Sequence, residues 1–161
     1  MAIKLKKGIK DLVAEAEAII TTISTDEAIK RHVNEDDNTV FVDIRDVREL
    51  ERDGMVPGAV HVPRGMVEFW FDPESPYHKE YLTDEDKTYV LYCAAAWRSA
   101  LSCKTLNDMG FPNVGYSNFE LNCAQNWTDY SSGSYVQNSG QDCSWPMMKI
   151  EIETIVEDEC D

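Results

Sequence analysis

The sequence has no run of about 18 apolar residues, which excludes a membrane-spanning helix. Histidine is scarce, and no C-x-x-C or close Cys/His cluster occurs among the cysteines at 93, 103, 123, 143 and 160, so no metal site is expected. An odd cysteine count at wide spacing also speaks against a disulfide framework, and thiols in a reducing compartment are expected. Positive charge is in short supply: 15 Lys and Arg face 30 Asp and Glu, a net charge of −15 over 161 residues. Such a surface repels nucleic acid and anionic lipid, so neither is an expected partner. It also repels anionic small molecules, so an anion site has to be built locally from arginines and backbone N–H groups. The stretch Met1 to Lys7 lacks the long apolar region and small-residue cleavage site of a signal peptide, and a cytoplasmic location is the expectation. Internal repeats are absent.

What is present is the composition of a globular domain, with 43% hydrophobic residues. Ile9, Leu12, Val13, Ala16, Ile19, Ile20 and Ile23 recur at helical spacing and predict an amphipathic helix of about four turns within residues 1–24. Its apolar face must dock on this domain or on a partner, and it could pair two chains as a homodimer. Ser24-Thr25-Asp26-Glu27 reads as a capping box opening a second helix through His32. Thr39 to Ile44, Ala59 to Val62, Thr88 to Tyr92 and Asn113 to Ser117 read as strands, rich in β-branched and aromatic residues. Val47 to Arg52 and Arg98 to Met109 read as helices, ended by Gly54 and Gly110. Strands alternating with helices imply an α/β sandwich with a mainly parallel sheet, whose ligands bind beyond the carboxyl ends of the strands. Beyond Trp127 the composition turns to Ser, Tyr, Gln, Asn and Gly and then to an acidic tail, so 128–161 is set apart as a polar and acidic segment.

Cys93 stands where the strand Thr88 to Tyr92 ends, and Cys93-Ala94-Ala95-Ala96-Trp97-Arg98-Ser99 runs from that strand into a helix. Such a loop can turn successive N–H groups inward as an anion cradle, a field that favours a thiolate. Arg98 adds a fixed positive charge, and the small residues at 94 to 96 let the backbone approach a bound sulfur. The ordinary reading of an isolated cysteine is a buried strand end, but the order strand, Cys, small residues, Arg, helix reverses the odds.

This loop resembles the active-site loop of the single-domain rhodaneses, in which Cys is followed after four residues by Arg and then Ser or Thr. Val42-Asp43-Ile44-Arg45 with Glu49, and Gly54-Met55-Val56-Pro57-Gly58-Ala59-Val60-His61-Val62-Pro63, resemble that family's first and second blocks. Lys104-Thr105-Leu106 and Met109 to Val114 fit its next helix and strand. The resemblance covers residues 25–127. It implies a rhodanese-like three-layer sandwich and transfer of a sulfane sulfur, from a donor such as thiosulfate, through a persulfide on Cys93. The acceptor would be a thiol, cyanide or a protein, and no cofactor is required. Three departures stand out. Met55 replaces a frequent His, and Ala96 a frequent Gly, which matters if φ there must be positive. Phe119-Glu120-Leu121-Asn122 replaces a Glu-Gly-Gly segment.

Arg64, after the second strand, is equally a substrate-anion ligand or a plain surface arginine. Asp43 and Arg45 are expected to pin loops, His61 to belong to the core or its rim, and Cys103 to be buried. His32 and His78 read as surface residues. Two rival readings remain. A non-catalytic rhodanese-like module for binding or redox sensing would keep the fold without the chemistry. A Cys-based phosphatase would use the same kind of anion loop, but the related phosphatases place five residues between Cys and Arg where this chain has four.

Overall fold

The computed structural model describes residues 3–34 and 36–117. The end of the rhodanese-like stretch at 127, the departure at 119–122 and the segment 128–161 lie outside the described residues. The chain runs α1 (Ile9–Glu17), β1 (Thr21–Ile23), α2 (Thr25–Val33), β2 (Thr39–Asp43), α3 (Val47–Asp53) and β3 (Val60–His61). A 3-10 turn at Arg64–Met66 leads into α4 (Val67–Phe71), and a second at Glu80–Leu82 precedes β4 (Thr88–Tyr92), α5 (Trp97–Asp108) and β5 (Val114–Ser117). The five strands form one sheet in the order β1-β5-β4-β2-β3, and every pair is parallel. Among the described residues no helix is long and apolar enough to cross a membrane.

The amino-terminal element departs from the four-turn helix that its spacing predicts. α1 ends at Glu17, and Thr21-Thr22-Ile23 pairs with Gly115-Tyr116-Ser117 as an edge strand. Three consecutive β-branched side chains favour an extended backbone. The partner strand also makes room: a Cβ on Gly115 would meet Ile23 Cδ1 at 2.9 Å. The stripe docks on this domain, since Val13, Ala16, Ile20 and Ile23 are buried and Tyr116 Oη donates to Glu17 at 3.0 Å. Ile9, Leu12 and Ile19 stay exposed. α2 begins as its capping box predicts, with Ser24 Oγ accepting from the Glu27 N–H at 3.2 Å.

β4 is the central strand and its interior residues are buried on both faces, which is why Thr88 to Tyr92 reads as an unbroken apolar run. One face packs Leu91, Val42 and Ile44 with Phe71, Ala100, Cys103 and Leu106. The other packs Val90, Tyr92 and Phe41 with Ala28 and Val56. The two histidines read as surface residues are only partly exposed. His32 meets Phe41 edge to face at 5.9 Å, and His78 Nε2 lies 3.5 Å from Thr83 Oγ1.

Candidate active site

The register Asp43↔Tyr92 sets the carboxyl ends of β2 and β4 side by side, and Cys93 is the first residue after β4. A cavity of about 280 Å³, lined among others by Thr83, Lys87, Tyr89 and Asn113, opens near the start of β4 and β5, at the end of the sheet away from Cys93. The chemistry-bearing residues gather at the carboxyl end instead.

Two buried groups brace that end. Asp43 and Arg45, both fully enclosed, form a fork: Arg45 Nε donates to Asp43 Oδ1 at 3.0 Å and Nη2 to Oδ2 at 2.7 Å. Arg45 Nη2 also donates to the carbonyl of Gly54 at 2.6 Å. Gly54 ends α3 at φ 71°, a conformation that suits glycine. Burial pulls the Arg45 pKa down, and the hydrogen bonds and charge of Asp43 more than offset it, leaving it raised. Tyr92 Oη accepts from the Val56 N–H at 3.1 Å, and burial together with the Asp43 charge keeps that phenol protonated. His61 Nε2 lies 2.8 Å from the Arg45 carbonyl, which can only accept, so the ring proton is on Nε2. Asp43 and Arg45, expected to pin loops, are joined to each other and to the end of α3, and His61, expected in the core or its rim, is half-buried.

The loop 93–99 is a tight strand-to-helix turn. Ala96 sits in the left-handed region at φ 62°, the one such non-glycine residue among those described, and is the N-cap of α5. The N–H of Trp97 closes on Ala95 O at 2.7 Å, while those of Ala94, Ala95 and Ala96 take no acceptor among the described residues. Unpaired donors at a helix start are the raw material of an anion site. Ser99 Oγ donates to Ala96 O at 2.8 Å and lies 3.5 Å from Cys93 Sγ. Cys93 is 1% exposed, whereas Trp97 turns outward, 46% exposed.

Arg98 does not stand alone. Its Nη1 and Nη2 donate to Glu49 Oε2 and Oε1 at 2.7 and 2.8 Å, a bidentate fork from α5 to the first turn of α3. Glu49 also accepts the N–H of Asp46 at 3.1 Å, completing the α3 capping box. Those bonds hold the Glu49 carboxyl below the ordinary carboxylate range and, with a further contribution from the nearby Cys93 sulfur, raise the Arg98 pKa. Sequence reasoning singled out Arg98 and missed this partner. The signal was present: Glu49 falls at N3 after the N-cap Asp46, and its type matches both a backbone donor and a guanidinium. Arg64 is exposed on the segment leaving the edge strand β3, with β2 between that strand and β4. Cys103 is buried on α5, where desolvation pushes its thiol up to about 12.

The structure is thus a parallel α/β sheet with a cysteine just past the carboxyl end of its central strand, followed by a short loop and an arginine. The chain matches the rhodanese-like domain over residues 25–118 and belongs to that family. It is 31% identical over 88 residues to the putative sulfur carrier protein YrkF of Bacillus subtilis (strain 168), a match covering 55% of this chain and 42% of that protein. The chain therefore spans less than half the length of that relative. A solved structure from Rhodopseudomonas palustris CGA009, RPA3614, described as of unknown function and a possible tyrosine phosphatase, is 44% identical with a TM-score of 0.73, over 76% of this chain and 92% of that one. The single-domain sulfurtransferase RDL2 of Saccharomyces cerevisiae superposes with a TM-score of 0.53 at 20% identity, over 64% of this chain and 86% of that one, a likeness of fold.

Proposed function

We propose that the protein is a sulfurtransferase that carries a sulfane sulfur as a persulfide on Cys93. The observation that carries this reading is the setting of Cys93: the Ser99 hydroxyl 3.5 Å from its sulfur, the Arg98 guanidinium nearby, and a following strand-to-helix turn whose N–H groups at Ala94, Ala95 and Ala96 take no acceptor among the described residues. With thiosulfate as donor, the Cys93 thiolate attacks the outer sulfur. A Cys93 S–S bond forms, the donor S–S bond breaks with its electron pair, and sulfite departs. The Ser99 proton can turn from Ala96 O toward the anionic sulfur, and the loop N–H groups stabilise it as an oxyanion hole does. In the second half a thiolate, cyanide or protein thiolate attacks the terminal sulfur, which leaves with the acceptor and returns Cys93 as a thiolate. Both halves are covalent catalysis without a metal. The site supports a role for Ala94, Ala95, Ala96, Trp97, Arg98 and Ser99 as the loop that holds this anion, and for Asp43 and Arg45 as its support.

The description of the R. palustris protein keeps a phosphatase reading in view. Two features favour sulfur. Four residues, not five, separate Cys93 from Arg98. A cysteine 1% exposed also suits a thin terminal atom better than the centre of a tetrahedral ester.

Mass spectrometry of the protein mixed with thiosulfate or an alkyl persulfide tests the reading. One sulfur should add to Cys93 and be removed by cyanide. Cys93→Ser should lower turnover by at least about 1,000-fold with melting nearly unchanged. Sulfur gained by Cys93→Ser would overturn the site assignment. Hydrolysis of an aryl phosphate without any sulfur uptake would establish the phosphatase instead, and neither activity would leave a binding module.

A further inference from the structure

Glu49 and Arg98 meet as a closed fork, and Arg98 interacts with the nearby Cys93 as well. One N–H on each Nη of Arg98 donates to Glu49, so the arginine that should serve an incoming anion keeps three donors but already has its charge matched by a carboxylate. Glu49 is itself fixed, since its carboxylate holds the Asp46 N–H and its side chain is only 21% exposed. Arg45 is likewise matched to Asp43. The cradle therefore rests on backbone dipoles far more than on net cationic charge, within a chain of net charge −15.

We infer that Glu49 is a positioning residue that fixes the plane of Arg98 beside Cys93 and, by cancelling its charge, selects singly charged sulfane donors over doubly charged ones. This rests on the sulfurtransferase reading of Cys93 and deepens it by setting the donor class. Thiosulfate brings two negative charges to the loop, and an alkyl persulfide brings one. The repulsion from Glu49 scales with the donor's charge, so it weighs about twice as heavily on thiosulfate. The favoured donor is then an alkyl or protein persulfide. The Cys93 thiolate attacks its terminal sulfur, a Cys93 S–S bond forms, the donor S–S bond breaks, and the departing thiolate takes a proton from water.

The test is the ratio of kcat/KM for thiosulfate to that for cysteine persulfide, in the wild type and in Glu49→Gln. Glutamine keeps the length and one carbonyl acceptor and removes the charge. The ratio should rise about tenfold in favour of thiosulfate, mostly through a lower thiosulfate KM. A ratio that stays constant, including one in which both activities fall together, would overturn the inference and reduce Glu49 to a structural brace. If Glu49→Gln fails to fold, Glu49→Met carries the same measurement. A wild type that takes sulfur from neither donor would overturn the reading of Cys93 itself, and the inference with it, which is a result distinct from an unchanged ratio.

Discussion

Two arginine–carboxylate forks stand at the carboxyl end of the same sheet, and they differ chiefly in water. Arg45 and Asp43 are 1% and 0% exposed at the side chain, whereas Arg98 and Glu49 are 34% and 21% exposed. The buried fork ties residues two apart in sequence and then reaches the end of α3 through Gly54 O. The half-open fork ties residues 49 apart and joins α3 to the start of α5. Removing one partner of a buried pair strands a charge where nothing solvates it. In a half-open pair, water replaces much of what is lost. The same two side-chain types thus serve the fold in one place and, in the proposed chemistry, the sulfur in the other.

The sharpest way to break this comparison is Asp43→Ala. It leaves Arg45 buried with only the Gly54 carbonyl and the more distant Asp53 carboxylate, 3.8 Å from Nη1, with an expected loss of about 3 kcal/mol. Thermal melting followed by circular dichroism reads the loss, and a melting temperature within about 2 °C of the wild type would show that water or the Asp53 carboxylate takes over the Arg45 charge. Arg98→Lys should do the reverse. A single ammonium keeps the charge but cannot hold both Glu49 oxygens and still face the sulfur. Sulfur transfer should fall about tenfold or more while stability changes by less than about 1 kcal/mol. Stability lost in step with activity would make the open fork a second structural brace.

The sequence pattern made the central strand and the loop that follows it legible because both are local. β4 is a continuous run of β-branched, aromatic and leucine residues, and Cys93 to Ser99 is contiguous chain. The second helix was legible for the same reason, since Ser24 and Glu27 lie within one turn. The amino-terminal element was misjudged beyond Glu17 because Ile19, Ile20 and Ile23 satisfy a helical spacing as well as an edge strand. Only pairing with Gly115, far along the chain, decides between them. Glu49 escaped for a related reason: an acidic residue in a first helical turn has a sufficient local explanation as a cap, and its bond to Arg98 is a contact of the fold. The burial of Arg45 was hidden in the same way, because a charged residue after a strand reads as loop until the sheet edge closes over it.

Ala96 gives the smallest expected effect and bears on the open side of the comparison, because its backbone turns the chain so that Arg98 enters α5 facing Glu49. At φ 62° an alanine Cβ crowds the following carbonyl, a strain of about 1–2 kcal/mol that glycine does not carry. Against this, glycine gains freedom in the unfolded chain, which costs stability by about 0.4–1 kcal/mol. The strain matches or outweighs the entropy, so Ala96→Gly should stabilise the protein by up to about 1.6 kcal/mol, read as a small rise in the denaturant midpoint at an unchanged slope. Activity is the more telling readout. If the loop already holds its left-handed turn at full occupancy, sulfur transfer stays within about twofold of the wild type, since the glycine adopts the same φ. A stabilised variant with markedly slower transfer would mean that the Cβ of Ala96, by restricting the turn, helps keep Arg98 aimed at the fork.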